Sequence, residues 1–262
     1  MEAWIAEQKV KGVSGSTRMT YSKLDPQTNQ FANIKVNSLA KLPENLRSKI
    51  PSSIGQSSFC ACARGVCSKD SGCINFLAQD FCHKGNCKIV KSGDLCTNQT
   101  SVLDCMGESV EACWSGTVDL GNAVYCKSHV RKGNRLLEMT GEWLKSKPQK
   151  ISDRVYLYQY KLDKSLYGVD QIFLNSAFMG NHARFINGRC QPNAQYENWT
   201  SERGFHVLVV STKDIFEGMT VTVDYGTGYS FAPRGCCCGS LQCVSMVTLC
   251  RYNQSKCVSM FA

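Results

Sequence analysis

The sequence has little with which to enter a membrane. It contains no run of about 18 apolar residues. No apolar stretch of signal-peptide type follows Met1-Glu2-Ala3-Trp4. The expectation is a chain with no membrane partner that has not been exported. Acidic residues are also in deficit, 21 Asp and Glu against 30 Lys and Arg, leaving a net charge of +9. That balance favours acidic partners such as nucleic acid or nucleosomes. The basic residues are spread out, however, so the same charge suits a merely soluble basic protein. No concentrated nuclear-localisation run and no reader module stands out. Proline is scarce, but Pro26, Pro43 and Pro51 interrupt any long element in residues 1–55. Leu39, Leu42, Leu46 and Ile50 fit one short helix there. This segment is expected to be an arm packed loosely on the rest of the chain.

Cysteine is what the chain has in excess, with 17 residues. Disulfides in a secreted protein and metal sites in an intracellular one are the competing explanations. The sequons at Asn98, Asn198 and Asn253 support the first. The missing leader and the Cys236-Cys237-Cys238 run support the second, which we favour. Residues 56–104 carry Cys60, Cys62, Cys67, Cys73, Cys82, Cys87 and Cys96 among few hydrophobic residues. Such a block buries little core, so metal–thiolate bonds are its economical support. Seven thiolates serve two tetrahedral zinc ions if one sulfur is shared. Cys236, Cys238 and Cys243 form a further group that needs a fourth ligand. Cys190, alone between Cys126 and Cys236, is the candidate, making about three zinc ions in all. Cys105 and Cys113 are expected to be buried thiols, and Cys250 and Cys257 lack ligand spacing.

The chain is organised around residues 181–193, Asn-His-Ala-Arg-Phe-Ile-Asn-Gly-Arg-Cys-Gln-Pro-Asn. Its Asn187-Gly188 and Pro192-Asn193 steps are turn chemistry. Upstream, Gly121-Asn122-Ala123 sits in a strand-like segment from Val118 to Tyr125. Lys132-Gly133-Asn134 predicts a turn and 135–142 a strand. Residues 154–162 alternate, placing Tyr156, Tyr158 and Tyr160 on one face. Downstream, 205–211 is apolar and β-branched, 214–218 predicts a turn, and 219–225 alternates and ends on Asp224-Tyr225. Lys145 to Lys150 is a basic loop, suited to solvent or to non-specific contact with DNA.

These segments together resemble the SET-domain lysine methyltransferases. Arg184, Phe185, Ile186, Asn187, Cys190, Pro192 and Asn193 match that family's R-F-I-N-H-S-C-x-P-N signature, with Gly188 and Arg189 in place of the usual His and Ser. Gly121-Asn122-Ala123 stands where the family has G-x-G. Residues 138–142 keep Glu138, Gly141 and Glu142 but carry Met139 for Tyr. Residues 214–225 resemble the R-D-I-x-x-G-E-E-L-T-F-D-Y run. The cysteine block, from Cys60-x-Cys62 to Cys96-Thr97-Asn98-Gln99, resembles the AWS module of enzymes that methylate histone H3 lysine 36. The last cysteine group resembles a post-SET element.

The resemblance implies a mainly β SET-domain (β-clip) fold with pseudoknot-like threading, flanked by zinc-cysteine modules. Its divisions are an arm (1–55), an AWS-like module (56–104), a SET domain (105–229) and a post-SET element with tail (230–262). It implies a nuclear, chromatin-associated enzyme that uses S-adenosylmethionine (SAM) on histone H3, with Cys67 as the shared zinc ligand. Tyr225 and Tyr156 would be catalytic. Leu120, Gly121, Asn122, Tyr156, Phe185, Asn187, Gly188, Arg234 and Cys237 would bind the cofactor. Gly188, Ala123, Met139 and Cys237 all depart from the pattern at or near the cofactor. A rival reading therefore keeps the fold and removes the activity, leaving a zinc-stabilised chromatin-binding protein.

Overall fold

The computed structural model describes residues 32–33, 42, 46, 59–62, 65–116, 120–150, 156–226, 238 and 243. Within them the chain is mainly β. The strands are β1 (Ala32–Asn33), β2 (Val110–Trp114), β3 (Asn122–Cys126), β4 (Arg135–Met139), β5 (Glu142–Leu144), β6 (Leu157–Lys161), β7 (Gln171–Asn175), β8 (Met179–Gly180), β9 (Asn187–Gly188), β10 (Ala194–Ser201), β11 (Gly204–Ser211) and β12 (Thr222–Val223). They form small sheets: β10-β11-β4, β5-β7-β6, β2-β3, β12-β9 and β1-β8. Among the described residues no helix is long and apolar enough to cross a membrane.

β11 explains the architecture. All eight of its residues are buried, because it lies between β10 and β4 and is covered on both faces. Side chains alternate across a strand. Phe205, Val207 and Val209 enter the main core with Leu136, Trp143, Tyr160 and Ile172. Leu208 and Val210 point the other way, onto Phe81 and Trp199. The second face is therefore closed by the cysteine module. A buried relay locks the three strands. Ser201 Oγ lies 2.7 Å from His206 Nε2, and His206 Nδ1 lies 2.8 Å from Glu138 Oε1. Such buried polar groups persist because they satisfy one another.

Several sequence expectations change in three dimensions. The strand expected over 135–142 breaks between β4 and β5. At Gly141 the chain passes so close to β7 that a Cβ would lie 2.5 Å from the Asn175 carbonyl oxygen. Of the arm, Leu42 and Leu46 are buried at 1% and 3% exposure within the main core. That is tight rather than loose packing; the rest of the proposed helix lies outside the described residues. Cys113 is buried as expected. Tyr156 precedes β6 instead of belonging to it.

Trp143 is fully buried and meets Tyr160 and Phe205 edge-on, with ring centroids 5.3 and 5.9 Å away. Trp143→Ala is expected to cost about 3–5 kcal/mol of stability. Denaturant unfolding measures this directly, and a cost below about 1 kcal/mol would contradict the packing.

Candidate active site and metal centres

The site forms where three separate segments meet. The first is the turn before β3. Gly121 adopts φ +61°, a backbone state that glycine accepts readily, and its carbonyl accepts from Ser115 N–H. The second is the 181–193 stretch. Asn181 caps a 3-10 helix over His182–Phe185. Its side-chain amide also donates to the Glu138 carbonyl at 2.6 Å, fixing the stretch to β4. The third is the segment from Met219 to Tyr225. Val221 N–H donates to Val124 O and Cys126 N–H to Met219 O, while Thr222–Val223 pairs in parallel with Asn187–Gly188.

That pairing corrects one expectation. Asn187-Gly188 is a short strand, not a turn, because tertiary pairing outweighs local turn preference. The chain bends just afterwards, through Cys190, Gln191 and Asn193. Asn193 holds the bend by donating to Thr220 O and accepting from Thr222 N–H.

Of the expected cofactor residues, several converge. Asn187 Nδ2 donates to the Asn122 carbonyl at 3.0 Å. Asn122 Oδ1 is buried and has no hydrogen-bond partner among the described residues. An orphaned acceptor there fits a ligand that brings N–H groups, as the ammonium end of SAM would. Leu120 stands exposed beside this turn. Phe185 is buried in the main core, so its side chain serves packing. Tyr225 donates to the Ile186 carbonyl at 2.6 Å, and its ring lies directly against Gly188. Tyr156 sits 4.2 Å beneath the Arg184 guanidinium. Arg234 and Cys237 lie outside the described residues.

The departures from the family pattern separate by position. Ala123 is buried at 2% exposure and Met139 at 5%, the latter within the main core. Both side chains lie in the interior. Gly188 lies against the Tyr225 ring, and Arg189, the other described departure in the motif, donates its backbone N–H to the Val223 carbonyl. The sequence reading also missed an aromatic neighbour. Tyr196 packs at a tilt against Tyr158, with centroids 5.0 Å apart. Burial, reinforced by the nearby Tyr225 and Tyr158 hydroxyls, holds the Tyr196 phenol well above its usual range. Burial also pushes Tyr158 up to about 12. Both rings thus stay neutral beside Tyr225. Tyr158 was visible through its period-two spacing; Tyr196 had no distinguishing signal.

The cysteines gather as sets rather than as pairs. The sulfurs of Cys60, Cys62, Cys67 and Cys73 lie within 4.8 Å of one another, as do those of Cys60, Cys67, Cys82 and Cys87. Cys96 interacts with Cys82 and Cys67. If Cys60 stays with Cys62 and Cys73, Cys67 joins that group to Cys82, Cys87 and Cys96. Burial and neighbouring thiols drive Cys60 and Cys67 far above the usual thiol range. So dense a set becomes anionic only with a cation present. N–H donors already face the sulfurs: Asn75 and Asn98 reach Cys82 at 3.4 and 3.5 Å. These donors fit zinc–thiolate coordination. Cys190, Cys238 and Cys243 form the third group, with Cys190 and Cys243 sulfurs 3.8 Å apart. Their expected companion Cys236 lies outside the described residues. The Asn98 sequon is fully buried and bonded to Arg135, unsuited to glycosylation.

Comparison with known proteins agrees with this geometry. Residues 121–226 match the family model for the SET domain. The Arabidopsis thaliana histone-lysine N-methyltransferase ASHH2 is 29% identical over 90% of this chain and 13% of its own length. The Drosophila melanogaster histone-lysine N-methyltransferase ash1 is 27% identical over 67% of this chain and 8% of its own. A Yarrowia lipolytica histone-lysine N-methyltransferase described as H3 lysine-36 specific is 24% identical over 90% and 30%. The chain thus spans a minor part of each relative. In fold it is similar to a chain of the Chaetomium thermophilum polycomb repressive complex 2, with TM-score 0.51, 20% identity, and coverage of 66% of this chain and 24% of that one. The converging 121, 181–193 and 219–225 segments and the family match agree on one region of the chain: residues 121–226 match the SET domain.

Proposed function

We propose that the chain is a SAM-dependent protein-lysine N-methyltransferase acting on histone H3 in nuclear chromatin, with lysine 36 the favoured target. The observation that carries the proposal is the meeting of Tyr225, Ile186, Gly188, Asn187 and Asn122 at one place. SAM supplies an electrophilic methyl group on a sulfonium. The protein's part is to hold an amine in line with it and to exclude water. Tyr225 donates its proton to the Ile186 carbonyl, leaving its oxygen lone pairs to accept from a lysine N–H. The lysine must first lose a proton to water, which desolvation promotes by lowering its pKa. Its lone pair, held in place by the Tyr225 oxygen, would then be free to take the methyl group that SAM would supply. Asn187 and the side-chain Oδ1 of Asn122 would hold the cofactor's amino-acid end, and the Gly188 backbone would serve the adenine.

The lysine-36 assignment rests on the AWS-like cysteine groups and on relatives described with that specificity. The exposed Lys145, Lys147 and Lys150 offer non-specific contact with nucleosomal DNA. The inactive alternative now rests on Gly188 and Cys237, since Ala123 and Met139 lie in the interior.

The test is transfer of labelled methyl from SAM to recombinant nucleosomes, with zinc counted on the same preparation. Label is expected on H3, and Tyr225→Phe is expected to reduce it at least about tenfold through loss of the hydroxyl's hydrogen bonds. No transfer by zinc-loaded protein, together with no SAM binding by calorimetry, would favour the inactive chromatin-binding reading.

A further inference from the structure

Arg135 begins β4, in the SET sheet, but its guanidinium ends against the cysteine module. Nη2 donates to Asn98 Oδ1 at 2.7 Å. That amide group is shared. Asn98 Nδ2 donates to the Asp80 carbonyl at 2.8 Å and faces Cys82 Sγ at 3.5 Å. The Asn98 backbone N–H faces Cys96 Sγ at 3.4 Å. A single hydrogen bond from the SET sheet therefore orients a residue that touches two sulfurs of the cysteine cluster. Asn98 is fully buried, so water cannot replace the bond that Arg135 makes to its Oδ1.

The charge is also placed with purpose. The guanidinium centre lies 4.0 Å from the Trp199 ring, 4.8 Å from Phe76 and 5.1 Å from Phe81. Trp199 belongs to β10, and the two phenylalanines to the cysteine module. Desolvation lowers Arg135 to about 10, so it remains cationic at neutral pH. Two divalent zinc ions carry four positive charges and seven thiolates carry seven negative ones. A fully loaded cluster is therefore anionic by three. Glu197 acts most strongly on the Arg135 charge, and Cys82 and Cys96 act on it as well. A partly desolvated cation at this edge offsets part of that excess.

We propose that Arg135 is a positioning residue for the metal cluster: the SET sheet supplies the hydrogen bond and the positive charge that hold Asn98 on Cys82. The cysteine module then does not retain its metal independently of the SET domain. The bland alternative is that Arg135 only glues two surfaces through its aromatic contacts. Leu208 distinguishes them. It packs in the same cluster with Phe81 and Trp199, whereas the hydrogen bond to Asn98 comes from Arg135.

The experiment follows zinc release from the full chain into a chromogenic chelator, with folding checked by circular dichroism. Arg135→Ala is expected to release zinc about 10–100-fold faster than the unmodified chain, the usual range for outer-shell changes. Arg135→Lys keeps the charge but loses the planar fork, so its rate is expected between the two. It also serves as the test if Arg135→Ala does not fold. Leu208→Ala is expected to lower thermal stability with little change in release. Unchanged release in the Arg135 variants, or equal acceleration in Leu208→Ala, overturns the proposal. The inference depends on zinc binding and not on methyl transfer. An unmodified chain that purifies and reconstitutes without zinc would also overturn it, and would be seen before any variant is compared.

Discussion

Replacing Cys67 with serine is expected to empty both zinc sites of the cysteine module, lowering the count from about three to about one per chain, since tetrahedral sites need four ligands each. Cys67 belongs to both sulfur groups, and its thiol also meets those of Cys62 and Cys96. Without Cys67 the first group keeps three ligands, and Cys96 loses one of its two thiol neighbours. A serine hydroxyl does not ionise near neutral pH and cannot replace the thiolate. Little else would hold the module. Apart from six cysteines, its buried cluster among the described residues contains Val90, with Phe76, Ile89 and the seventh cysteine, Cys62, only partly covered. Loss of metal should therefore unfold residues 59–98 and uncover Phe81, Trp199 and Leu208. Metal analysis and near-ultraviolet circular dichroism read the two effects. Cys62→Ser should remove one ion only. Cys60 is the competing bridge, since it too belongs to both groups. If Cys60→Ser empties both sites while Cys67→Ser empties one, the shared ligand is Cys60.

The sequence made this cluster legible because thiolate spacing has few other uses, and because so few apolar residues accompany it. It also revealed the 181–193 stretch, where Asn, Arg, Phe and Cys each occupy a motif position. It could not show what that backbone does. Asn187-Gly188 has the composition of a turn, yet it becomes a strand because residues 222–223, distant in sequence, lie alongside. The break at Thr140–Gly141 was hidden for a similar reason: the glycine answers to Asn175, a residue on another strand. Period-two spacing identified one tyrosine face but placed Tyr156 on a strand that it only precedes. Arg135 was the least legible. In sequence it is a basic residue after a turn, and its meaning depends on Asn98 and Trp199, which only folding brings to it. Local chemistry is visible in sequence, whereas contacts between distant segments must be found in the fold.

Restoring the family's usual histidine at position 188 is expected to reduce methyl transfer, by about 10²-fold, the typical penalty for misplacing a reacting group by about 1 Å. The cause is steric. A Cβ at residue 188 would lie 2.6 Å from Tyr225 Cδ2, 2.8 Å from Cε2 and 3.0 Å from Cγ. These atoms belong to a rigid ring, so the whole ring must move. Its hydroxyl would then leave the Ile186 carbonyl, now 2.6 Å away, and lose the orientation proposed for the lysine. Gly188 is not among the residues with positive φ, so the backbone itself admits a side chain. The damage is therefore local, with an overpacking cost of about 1–3 kcal/mol. Gly188→Ala should show the same displacement in milder form. Single-turnover transfer to nucleosomes measures the rate. Ring signals in tyrosine-labelled NMR spectra, with Tyr225 assigned by its absence in Tyr225→Phe, report the displacement even if no transfer is detected. A Gly188→His protein with an unmoved Tyr225 signal, or with transfer equal to or above that of the unmodified chain, would refute the coupling. The departure at 188 would then be a defect in the site. If instead the signal moves and transfer falls, glycine at 188 and the present placement of Tyr225 belong to one arrangement, and the histidine cannot be restored alone.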